Sequence, residues 1–130
     1  MEKNIITRDR AIQALRDLVK QKGEQFIYTR TETGECAYQV DKVPSCAVGV
    51  ALYNLGVDPY ILTRIEGKNA DMLTQFFEEH EVFKIELDQD AAILFSVFQA
   101  GQDEGNQYGW CLLRAEIEYI RLVERVQNVA

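Results

Sequence analysis

Residues 44–57, PSCAVGVALYNLGV, offer almost no polar surface. Read as a helix, this stretch has to be buried on most sides, so the rest of the chain must pack around it. Ser45 is the expected N-cap and Gly56 the natural C′ residue. Gly49 lowers helix propensity, so its presence predicts close packing against another backbone. Cys46 then falls in the first turn, which raises a question of chemistry. A thiol there feels the helix dipole and can become a nucleophile. The plainer reading is a small buried residue, since cysteine is among the most buried residue types.

The rest of the chain is punctuated for short elements. Thr7 caps a first helix whose stripe is Ala11, Leu15 and Leu18, with Ile12 and Val19 beside it, ending at Gly23. Phe26, Tyr28 and Arg30, then Cys36, Tyr38 and Val40, flank a Thr-Glu-Thr-Gly turn and predict a β-hairpin. Asp58-Pro59 restarts a helix. Asn69 opens another, with Met72, Leu73, Phe76 and Phe77 facing inward. Alternation over 82–87 predicts a third short strand. Asp88 caps a helix that bends at Gly101 and stops by Gly105. The last helix begins near Gly109-Trp110, and Leu113, Ile117, Ile120 and Val123, with Leu112, Tyr119 and Val126, make a broad apolar stripe. The fold class is α+β and mostly helical: about six helices, one hairpin and a third short strand, in one domain over residues 1–130.

The 130 residues are 47% hydrophobic, enough for a real core. No stretch has the length of a membrane helix, and the N-terminus lacks the apolar run of a signal peptide. Three cysteines at wide spacing form no disulfide framework, and with one histidine they match no zinc motif. The expected setting is the cytoplasm, with no cofactor and no metal. Net charge is −7 and uneven, +1 over residues 1–65 and −8 over 66–130. That balance repels phosphate backbones and suits a partner with a basic surface.

Three places are candidates for function. Glu78, Glu79 and Glu81 lie in the densest acidic run, residues 78–90; an acidic contact face competes there with a merely solvated one. Gln102, Asp103, Asn106, Tyr108 and Trp110 lie in QAGQDEGNQYGW, an amide- and glycine-rich junction that would bind a ligand or simply close one helix and plug the core with Trp110. Cys46 is the candidate reactive thiol. His80 would be its base, although its neighbours Glu79 and Glu81 read more simply as a helix end. Asp88 and Asp90 lack the spacing of a calcium loop. No catalytic set is assigned.

Pro44-Ser45-Cys46-Ala47-Val48-Gly49, running on to Leu55-Gly56, resembles a pattern in small proteins encoded by actinobacterial bacteriophages. Those proteins also carry a late stretch similar to Phe98-Gln99-Ala100-Gly101-Gln102-Asp103-Glu104-Gly105, followed by a pair like Gly109-Trp110. They often place a histidine after the glycine where this chain has Val50, so no Cys–His pair on one helix turn follows. The family is mostly of unknown function. The resemblance implies a phage accessory protein in the host cytoplasm that binds a host macromolecule without catalysis of its own. Two alternatives stand beside it. One is a binder of a small signalling nucleotide, with phosphate held by Arg30, Arg64 or Arg114. The other is a Cys46-dependent enzyme. Apolar surface beyond what one core needs would also allow a homodimer.

Overall fold

The computed structural model describes residues 2–29 and 37–128, the side chains of 126–128 excepted. The chain is α+β and mostly helical. Strand β1 (Asn4–Ile6) leads into α1 (Arg8–Lys22); a short hairpin, β2 (Gln39–Val40) and β3 (Val43–Pro44), leads into α2 (Ala47–Asn54). Then come α3 (Pro59–Arg64), a 3₁₀ turn at Ala70–Met72, α4 (Leu73–Glu79) and a second 3₁₀ turn at Glu81–Phe83. Strand β4 (Ile85–Leu87) and helices α5 (Gln89–Asp103) and α6 (Tyr108–Asn128) complete it.

The caps act as their residue types dictate. Thr7, Asp58 and Asp88 each accept a backbone N–H with the side chain, from Arg10, Tyr60 and Asp90. Gly23 stops α1 in a conformation (φ 100°) that side chains avoid.

Helix α5 is the hub. It packs on α1, α2, α6 and the 70–72 turn. Ala91, Ala92, Leu94, Phe95 and Phe98 are all fully buried; each large one is worth about 1.5–3 kcal/mol relative to exposure. Helix α5 runs on through Gly101 to Asp103. A Cβ on Gly101 would lie 2.9 Å from the Cys111 sulfur, so the glycine lets α6 approach α5.

The strands differ from expectation in place. Residues 26–29 form no strand, and residues 30–36, including Arg30 and Cys36, lie outside the described residues. The hairpin turns instead at Asp41-Lys42, both at positive φ (52° and 65°), as a two-residue turn matching strand twist requires. Below it, Tyr38 and Ala37 carbonyls accept from the Ser45 and Cys46 N–H groups. Only the end of the 82–87 segment is strand, and it pairs in parallel with β1, Ile6 opposite Leu87.

Candidate functional site

The start of α2 is sealed. Cys46, not Ser45, is the N-cap residue; Ser45 Oγ is hydrogen-bonded to the Tyr28 hydroxyl at 2.7 Å. Cys46 is 0% exposed. The backbone N–H of Ala47, a donor that an anion or substrate would use, donates to Gln102 Oε1 at 2.8 Å. Gly49 is there for the expected reason: a Cβ would come within 2.0 Å of the Tyr38 carbonyl oxygen. His80 is engaged elsewhere. Its Nδ1 lies 2.8 Å from the Phe76 carbonyl oxygen, and its ring stacks on Phe76 with centroids 4.2 Å apart. The structure therefore does not bring Cys46 and His80 together.

The 99-to-110 junction is shorter and drier than a ligand loop. Helix α5 continues through Asp103, and α6 already begins at Tyr108. Gln102 and Tyr108 are interior, each 1% exposed, and Tyr108 OH donates to Gln102 Oε1 at 2.8 Å. Tyr108 packs edge-on against Phe26 and Phe98. These two residues are thus corrected from contact surface to core, because a buried amide acceptor needs a buried donor. The plug expected from Trp110 is Tyr108 instead; Trp110 is 48% exposed. Asn106 and Asp103 stay partly accessible. Cys111, behind Gly101, has its thiol pKa pushed up to about 11 by burial.

The end of α4 is open. Glu78, Glu79 and Glu81 are all exposed. Beside them Lys68, Met72, Gln75, Phe76, Glu79 and His80 line a shallow hollow of about 210 Å³. Gln75 donates to Glu79 Oε1 at 2.8 Å and holds that carboxylate at the rim. Lys68 Nζ lies 5.2 Å from the Phe76 ring centroid, a cation–π contact. Met72 is not turned inward but 52% exposed, and Val82 is 79% exposed.

The broad apolar stripe of α6 is not all covered. Leu113, Ile117 and Ile120 are 50%, 44% and 55% exposed. The buried face of α6 is Tyr108, Cys111, Ala115 and Leu122. A helix with apolar residues on both faces gives no sign, from spacing, of which face is covered.

Among the described residues, no group of three or more His, Cys, Asp or Glu is placed to hold a metal ion, and no helix is long and apolar enough to cross a membrane. Fold and surfaces define, among the described residues, a mostly helical α+β protein with Cys46, Gln102 and Tyr108 buried and with apolar and charged side chains exposed on α4 and α6. Comparison with protein-family models, with curated proteins and with solved structures gives no match.

Proposed function

We propose that this chain is a phage-encoded accessory protein that acts in the host cytoplasm by docking on a basic surface of a host macromolecule, without catalysis of its own. One observation carries the reading: the α4 hollow has the make-up of a contact centre. Met72, Phe76 and the His80 ring give it an apolar lining, and Glu79 and Lys68 set one charge of each sign on it. The exposed Asp71, Glu78 and Glu81 neighbour this lining in sequence and add acidic charge, beside the cations of Lys84 and of Arg64, which lies over the Phe83 ring at 5.8 Å. An arginine or lysine of the partner would lay its apolar stem on the exposed Met72 and its cation against Glu79. Lys68 already demonstrates that the Phe76 ring accepts a cation. The resemblance of the 44–57 and 98–110 segments to phage proteins supplies the setting. The nucleotide-binding alternative has less support, because Gln102 and Tyr108 are spent on each other.

The test is capture from an actinobacterial host lysate by the tagged chain, in parallel with a Glu78→Lys, Glu79→Lys, Glu81→Lys variant. The expected result is one stoichiometric host protein on the first bait, held at least about tenfold more weakly by the second and released by salt. A partner held equally by both baits would overturn the acidic-face reading.

A further inference from the structure

The α4 hollow already holds a cation of its own. Lys68 enters it from the turn ahead of α4, and its Nζ lies 5.2 Å from the Phe76 ring centroid. The His80 ring stacks on the same phenyl at 4.2 Å, too close for an ammonium between them, so Lys68 takes the part of the ring that His80 leaves. Phe76 ends 8% exposed. Glu79 does not account for this placement of Lys68. Its carboxylate accepts from Gln75 at 2.8 Å, and among the described residues no carboxylate lies within ion-pair distance of Lys68 Nζ. The backbone of Lys68 is fixed on both sides: its N–H donates to the Ile65 carbonyl at 3.1 Å, and its carbonyl accepts from the Tyr38 hydroxyl at 2.6 Å. The part free to move is the flexible stem with its ammonium.

We propose that Lys68 is an autoinhibitory gate: in the free protein it occupies the place that the partner's cation takes, and the partner binds by displacing it. This rests on the docking function proposed above and names the residue that opposes it. Two like charges at one ring and one carboxylate repel, so Lys68 must swing out before a second cation enters. Once it does, the Phe76 ring opens beside Met72 and Glu79, and the incoming side chain gains the ring as well as the carboxylate. The exchange favours arginine. A guanidinium is planar, weakly hydrated and stacks on rings, whereas the displaced ammonium returns to water, where it is strongly hydrated. The repelling charge also rejects weakly cationic surfaces. Arg64 does not compete for this place, since it lies over Phe83 instead.

Titration of the whole chain with end-blocked tri-arginine and tri-lysine peptides tests this, read from the NMR amide shifts of residues 68–80 at about 0.1 M salt, where distant charges are screened. Lys68→Met should bind tri-arginine about five- to tenfold more tightly than the parent. Lys68→Gln should shift in the same direction and covers the case in which methionine disturbs the hollow. Lys68→Arg keeps a cation on the ring and should bind no more tightly than the parent. Lys20→Met removes the same charge from an exposed position on α1 and should change the affinity by less than about twofold. In the parent and in Lys68→Met, tri-arginine should bind more tightly than tri-lysine. Equal affinities for the parent, Lys68→Met and Lys68→Gln overturn the gate and leave the docking function standing. Tightening of the same size in Lys20→Met overturns it too, because overall charge then explains the effect, and so does tightening in Lys68→Arg. Tri-lysine bound as tightly as tri-arginine overturns the preference for arginine. No shift at residues 68–80 in any variant overturns the docking function and the gate with it.

Discussion

Helices α2 and α6 both carry more apolar surface than a single stripe needs, and they end in opposite situations. In α2 the six residues Ala47 to Leu52 are all buried. In α6 one face is buried and its opposite is in water. The difference is position. Helix α2 lies against α1, α5 and β3, and the Tyr38 backbone presses on Gly49. Helix α6 covers α1 and α5 from outside, and nothing described here lies beyond it. Excess apolar surface is absorbed where a helix is threaded through the middle and left over where it forms the outer layer.

The largest expected effect is on the threaded helix. Gly49→Ala should cost at least about 3 kcal/mol in denaturant unfolding, since the Tyr38 carbonyl must move with its hydrogen bond to Ser45. A loss under 1 kcal/mol would mean α2 is looser than it looks. Gln102→Leu comes next. It strands the Ala47 N–H and the Tyr108 hydroxyl in the interior and should cost about 3 kcal/mol, checked the same way. Cys46 should resist alkylation below pH 7 until the chain unfolds; fast labelling of the folded protein would break the contrast between sealed α2 and open α6.

A pH effect follows from the α5–α6 contact. Burial raises the Cys111 pKa from about 9 to about 11. The folded state then holds this proton to higher pH than the unfolded state does. Stability from this group is complete below pH 9 and declines as pH rises through the window from 9 to 11. Cys111→Ala should flatten that decline, and an unchanged alkaline slope would refute the assignment. The smallest effect belongs to the outer face: Ile117→Ser should leave the stability of the single chain within about 0.5 kcal/mol.

Local chemistry was legible in the sequence; long-range pairing was not. Thr7, Asp58 and Asp88 announce helix starts because a side-chain oxygen two or three residues ahead of a donor needs no tertiary partner. Gly49 was readable as a close approach, although Tyr38 as its neighbour was not. The hairpin was placed too early because Phe26 and Tyr28 look like strand residues, whereas they pack against α6 and Ser45 instead. Its actual turn, Asp41-Lys42, lacks the glycine that usually marks positive φ. Strand β1 went unseen because three residues pairing with three others eighty positions away leave no periodic trace. In the candidate site, the exposure of Glu78, Glu79 and Glu81 followed from charge, while the interior fate of Gln102 and Tyr108 depended on a bond between them that no spacing encodes.

The parallel pairing of β1 with β4 also sets an order of events. Ile6 finds Leu87 only after that residue has been synthesised, and α1 finds its main neighbours, α5 and α6, later still. Helix α1 meets α2 early, but its faces toward α5 and α6 are covered only when those helices are added. Such closure of distant contacts slows folding. A nascent chain arrested before α6 should therefore be more protease-sensitive than one arrested after it.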